Sequence, residues 1–225
     1  MKKICLLLSM LLLTASVYAA PSAKELFDDF DITHNPFSDT DTCPWAEEAI
    51  AHLYKNGMIS GVGDGKFAPD LNVTRLEFIK MAVSSAAIVD KTAEANYEFI
   101  ESKEHWGYIY AASAKKAGLI DIYNEPDMGA YTDISREDMA YIAFKTIRLF
   151  DESEIKLNDE KFADDAEIAD YAKESVYYLK NLGIINGRGD NLFEPKGTAT
   201  RAEAAKIIYN VLIKVNENYL TGGEK

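Results

Sequence analysis

Three landmarks recur along the chain at one fixed spacing, and this triplication restricts the fold more than any other feature. The strings Thr74-Arg75-Leu76-Glu77, Ser135-Arg136-Glu137-Asp138 and Thr200-Arg201-Ala202-Glu203 each pair a hydroxyl residue with an arginine. Seventeen residues before each hydroxyl stands a glycine (Gly57, Gly118, Gly183), and twelve before each glycine an aromatic (Trp45, Trp106, Tyr171). A fixed internal period marks one supersecondary unit used repeatedly, each copy relying on its neighbours to bury its apolar face. Copies one and three agree further, in Gly61 and Gly187, Asp64 and Asp190, Phe67 and Phe193, Pro69 and Pro195. Copy two departs, with Ile122, Glu125, Met128 and Ala130 at those offsets.

Each unit reads as helix, loop, helix. The spacing predicts a first helix starting near Pro44, a residue suited to the first turn. Its stripe is Trp45, Ala49, Ile50, Leu53 and Tyr54, with Gly57 as a left-handed stop. The loop from Gly61 to Val73 is rich in turn formers. The second helix opens on a capping box, Thr74 with Glu77 and Thr200 with Glu203; Ser135 holds the cap position in copy two. Downstream the stripes are Phe78, Ile79, Ala82, Val83 and Ala86; Met139, Ala140, Ala143, Phe144 and Ile147; Ala204, Ala205, Ile208, Tyr209 and Leu212. Three such faces bury most simply against one another. An all-α fold follows, three helix-loop-helix repeats in pseudo-threefold array around a central bundle.

The repeats are placed at residues 37–89, 97–150 (divergent) and 162–215, after an acidic lead-in at 20–36 and before a tail at 216–225. Residues 1–19 read as a removable export signal: Lys2 and Lys3, an apolar run from Ile4 to Leu13, then Val17-Tyr18-Ala19. The run is too short to span a bilayer, and no second one follows, so no membrane span is expected in the mature chain. Losing two lysines with the signal takes the formal charge from −13 to −15. That acidity excludes the basic stripe of a nucleic-acid binder. Of two cysteines, Cys5 lies in the signal and Cys43 is alone, so no intrachain disulfide is expected. His34, His52 and His105 share no repeated offset or metal-ligand spacing, and no phosphate loop or nucleophile elbow occurs. No catalytic residue, metal or cofactor is expected.

The Thr-Arg-Ala-Glu string of copy three, the Gly-x-x-x-Gly-x-x-Asp-Gly-x-Phe-x-Pro loop of copy one and the Phe-x-Asp openings (Phe37 to Asp39, Phe162 to Asp164) resemble the S-layer homology domain. The resemblance implies a three-pronged helical pseudo-trimer whose inter-repeat grooves bind a secondary cell-wall polysaccharide, commonly through a pyruvylated amino sugar. It places the protein in the cell envelope. Its alternatives are a tether from an outer membrane to modified peptidoglycan, and a structural scaffold with an envelope protein as partner. By residue match, Arg75, Arg136 and Arg201 take the family's anion-binding position.

The residues support that position independently. An arginine at a helix's first turn opposes the macrodipole by a few tenths to about 1 kcal/mol, so three of them serve something other than helix stability. A guanidinium beside free helix N–H groups makes a carboxylate receptor; the alternative is an arginine paired with an acid to pin a loop. Trp45 and Trp106 are either core or a flat face for a sugar ring. Gly61 and Gly187 allow close backbone approach or a tight turn. Asp39 and Asp164 either accept sugar hydroxyls or hold a turn.

Overall fold

The computed structural model describes residues 35–94, 105–123, 127–158 and 160–221, with side chains to residue 216. The export signal, most of the lead-in, Glu125 and the end of the tail lie outside them. Among the described residues there are six α-helices, besides short 3-10 turns: α1 Glu47–Lys55, α2 Arg75–Ser85, α3 Tyr108–Lys116, α4 Arg136–Arg148, α5 Asp170–Asn181 and α6 Arg201–Thr221. Among the described residues the extended backbone amounts to isolated bridges, so the fold is all-α as expected.

The caps follow from the sequence. Thr74 accepts the Glu77 N–H while the Glu77 carboxylate accepts the Thr74 N–H, and Thr200 and Glu203 repeat the exchange. Ser135 accepts from the Asp138 N–H, but Asp138 is a methylene shorter and its carboxylate is engaged by Tyr123 and Tyr171, so that box is half made. Gly57, Gly118 and Gly183 close α1, α3 and α5 at φ +68°, +69° and +68°. In each case the next residue's N–H reaches back five residues, as from Met58 to the Leu53 carbonyl at 2.9 Å.

Every residue of the three predicted second-helix stripes is buried. α2, α4 and α6 pack on one another at the centre. The outer helices pack in a cyclic order: α2 against α3, α4 against α5, and α6 against α1. Each central helix thus rests on the first helix of the following copy, and the last copy closes onto the first. The segments before the central helices complete the ring through bridges Asn72 to Thr200, Thr74 to Asp133 and Ser135 to Thr198.

Two details differ from the sequence reading. α1 begins at Glu47, after a turn in which the Ala46 N–H bonds the Cys43 carbonyl. Trp45 therefore precedes the helix and is 53% exposed, and Tyr54 also faces out; Ala49, Ile50 and Leu53 alone carry the α1 stripe inward. At the other end α6 continues to Thr221, past the expected repeat boundary.

Candidate functional site at the repeat junctions

The first turns of the central helices determine what each junction can bind. Arg75 and Leu76 donate their N–H groups to the Thr132 and Ala130 carbonyls, both at 3.0 Å. Arg136 and Glu137 donate to Gly197 and Pro195 at 2.9 and 3.1 Å; Arg201 and Ala202 donate to Leu71 and Pro69 at 2.8 and 3.1 Å. The expectation of free helix N–H groups is thereby corrected. The next copy's loop satisfies them, because a buried helix terminus cannot leave its donors unpaired.

The arginine side chains follow the same cyclic order. Arg201 donates from Nε to the Phe67 carbonyl (3.0 Å) and from Nη2 to Ser60 (2.7 Å), with Nη1 3.5 Å from Glu77. Arg136 donates to Phe193 (2.8 Å) and Asn186 (3.4 Å), with Nη1 3.5 Å from Glu203. Arg75 donates from Nη1 to Met128 (2.9 Å) and lies 3.5 Å from Asp138. The guanidinium carbons stand 4.6, 5.1 and 4.7 Å over the rings of Phe67, Phe193 and Tyr123 respectively. The geometry found is the loop-pinning alternative, an arginine joining one copy to the capping acid of the next. Arg136 and Arg201 are 5% and 7% exposed. Burial lowers the pKa of both, with Arg188 adding to the effect at Arg136 and Glu77 opposing it at Arg201.

Asp39 and Asp164 are likewise committed to structure. Asp39 accepts the Phe67 and Ala68 N–H groups at 2.8 and 2.9 Å; Asp164 accepts those of Phe193 and Glu194 at 2.8 and 2.7 Å. Both hold a loop whose next residue has positive φ (Ala68 +58°, Glu194 +55°). The turn-holding role is the one observed. At Asp39 burial works against ionisation, and the two N–H donors outweigh it, leaving the carboxyl below its ordinary value. Gly61 and Gly187 are glycines for packing: a Cβ at Gly61 would lie 2.5 Å from the Phe37 ring and 2.6 Å from the Lys66 carbonyl, and one at Gly187 would lie 2.9 Å from the Leu192 carbonyl.

What stays open is a cavity of about 230 Å³ where copies three, one and two meet. Met58 and Met81 give it an apolar lining, and Ser60, Gly61, Glu77 and Arg201 a polar one. Trp106 lines it from the neighbouring copy and is 48% exposed. Lys80 also lines it, half-buried and with no ion pair or hydrogen bond among the described residues. The sequence reading missed this ammonium. A signal existed: lysine stands six residues after the cap in copies one and three (Lys80, Lys206), with Tyr141 in copy two.

The corresponding positions at the junction of copies two, three and one are Arg136, Gly187, Glu203, Lys206 and Trp45. Arg188 replaces Val62 there and bonds Glu203 at 2.9 and 3.1 Å and Glu194 at 2.6 Å. Burial opposes ionisation of Glu203, and the Arg188 and Thr200 donors outweigh it, holding the carboxyl below its usual value. At the junction of copies one, two and three, phenols occupy the acids. Tyr171 donates to Asp138 at 2.5 Å and to Glu137 at 3.2 Å, and Tyr123 donates to Asp138 at 2.9 Å. Tyr141 packs edge-on against Tyr171, so this junction is filled by its own side chains.

Among the described residues no helix is long and apolar enough to cross a membrane, and no group of acidic, histidine or cysteine side chains is placed to hold a metal. Residues 36–79 and 161–205 each match the model of the S-layer homology domain. An amylopullulanase of Thermoanaerobacterium thermosulfurigenes is 34% identical over 187 residues, which is 83% of this chain and 10% of that protein. Exoglucanase XynX of Acetivibrio thermocellus is 37% identical over 82% of this chain and 17% of its own length. S-layer protein sap of Bacillus anthracis is 32% identical over 76% of this chain and 20% of its own length. The chain thus spans a fifth or less of these three relatives.

Proposed function

We propose, from the premise that residues 36–79 and 161–205 are S-layer homology repeats, that this chain attaches to the bacterial cell envelope by binding an acidic wall polysaccharide at its repeat junctions. Residues 97–150 form the third, divergent repeat: they supply the same cap, the same helix-ending glycine and the same place in the ring. The relatives fit an attachment module, since surface-layer proteins and glycan-degrading enzymes share it within much longer chains. The role is non-catalytic, and the reading places the protein outside the cell after removal of residues 1–19.

The observation that carries this reading is the cavity beside Arg201, lined by an indole and by an ammonium with no ion pair or hydrogen bond among the described residues. A sugar ring has apolar C–H faces for Trp106 and hydroxyls for the polar edge. A pyruvate ketal adds a carboxylate that fits Lys80, and a charge-assisted hydrogen bond contributes about 1.5–3 kcal/mol. Arg201 and the Ser60 carbonyl fix the frame of the pocket, with Lys80 as the adjustable charge. One such site binds modestly; a polymer meeting the Arg201 and Arg136 junctions together gains through effective concentration.

The test is sedimentation of the purified protein with cell walls, intact and stripped of their polysaccharide. Binding lost on stripping, and weakened by removal of the pyruvate ketal, is the expected result. Equal binding to both preparations overturns the reading in favour of a scaffold that recognises protein or peptidoglycan.

A further inference from the structure

Of the chain's six methionines, four lie among the described residues: Met58, Met81, Met128 and Met139. All four are buried, but their surroundings differ. Met58 and Met81 line the cavity beside Arg201. Met128 and Met139, each 1% exposed, are not among the residues that line it. Copy one alone places sulfur at these positions. The residue after the helix-ending glycine is Met58 in copy one, Leu119 in copy two and Ile184 in copy three; seven residues after the cap stand Met81, Ile142 and Ile207. The corresponding junction around Arg136 therefore has Ile184 and Ile207 where the Arg201 cavity has two thioethers.

A thioether fills an irregular apolar gap as an aliphatic chain does, and packing accounts for any one buried methionine. Two of them on the wall of one open cavity add a chemistry that isoleucine lacks. A space of about 230 Å³ holds several water molecules, and hydrogen peroxide is little larger than water. Peroxide oxidises a thioether directly: a sulfur lone pair attacks one peroxide oxygen, and the O–O bond breaks as the S–O bond forms. The departing hydroxide takes the proton from the transferred oxygen and leaves as water, so sulfur loses two electrons and peroxide gains them. The product is a polar sulfoxide whose oxygen accepts hydrogen bonds. In this cavity that oxygen interrupts the apolar lining and competes with the ligand's carboxylate for the Lys80 ammonium.

We infer that Met58 and Met81 form an oxidation site that regulates the Arg201 pocket, with peroxide as the modifying agent and the Arg136 junction left untouched. The inference rests on the polysaccharide reading above and adds a control to it. Oxidation takes one junction away from a polymer that bridges two, so the gain from effective concentration is lost while a single contact persists. Reduction of the sulfoxides restores the second contact.

Timed treatment of the purified protein with hydrogen peroxide, followed by peptide mass spectrometry and wall sedimentation, tests it. One added oxygen each is expected on Met58 and Met81 before Met128 and Met139 react. Binding to polysaccharide-bearing walls should then weaken roughly tenfold or more, at an unchanged helical circular dichroism signal. Methionine sulfoxide reductases should restore it, a readout that needs no substitution. Met58→Ile/Met81→Ile installs the pair that copy three already carries, and this variant should bind as the parent does and ignore peroxide. Equal oxidation rates at all four methionines, loss of the helical signal together with binding, or an equal effect of peroxide on the double variant overturns the inference and leaves the polysaccharide reading standing. Failure of the untreated parent to bind those walls overturns both.

Discussion

Arg136 offers the sharpest test of how the ring is held. Its guanidinium joins copy two to copy three through the Phe193 and Asn186 carbonyls and Glu203, at 2.8, 3.4 and 3.5 Å, in a site only 5% exposed. Arg136→Ala removes the cation and leaves two buried carbonyls without that donor. Breaking a buried charge pair costs about 3–5 kcal/mol, and the longer two contacts place this site near 3. In a domain of this size 1 kcal/mol moves the thermal midpoint by about 2–4 °C, so a drop of about 6–12 °C is expected. Differential scanning calorimetry on the purified protein measures it. Arg136→Lys should recover only part, because an ammonium cannot reach three acceptors in one plane. A midpoint for Arg136→Ala within 2 °C of the parent would refute the reasoning, since it would mean that the ring closes without its arginines.

Lys80→Ala should leave the thermal midpoint within about 2 °C, as expected where no contact is lost, and reduce wall-polysaccharide binding at least tenfold in sedimentation. Gly61→Ala should destabilise by about 1–3 kcal/mol in urea unfolding, because the added carbon overlaps the Phe37 ring and the Lys66 carbonyl. Asp39 and Glu203 both have folded-state pKa values below their ordinary ones, so the stability they contribute is complete above about pH 4.5 and lost as pH falls through their lowered values. Asp39→Asn should accordingly lower the midpoint at pH 7 and make it less sensitive to acid below pH about 4, as followed by circular dichroism.

Helix starts, stops and inward faces were readable because they are local. A hydroxyl three residues before an acid caps a helix, a glycine at the right offset ends one, and the 3.6-residue period identifies the stripe. The partner of each helix was not readable: a repeat pattern is the same whether α2 rests on α1 or on α3. The surroundings of the arginines were not readable for the same reason. Read within one copy, Arg201 sits at a helix start with unpaired donors; read across copies, those donors meet Leu71 and Pro69 and the side chain meets Ser60 and Glu77. Trp45 was placed on the α1 stripe by a period that begins two residues after it. Lys80 escaped notice because a lysine among stripe residues looks like the solvent side of a helix, and only the approach of Trp106 from another copy makes that side a pocket wall.

The seating of α6 on α1 has a consequence for biogenesis. Ala49, Ile50 and Leu53 emerge early in synthesis, but the surface that covers them is built from α6, which starts only at Arg201. The nascent polypeptide cannot reach its native state by stepwise completion from its amino end, and long-range closure of this kind is slow. The face of α1 formed by Ala49, Ile50 and Leu53 therefore stays uncovered until α6 has been made.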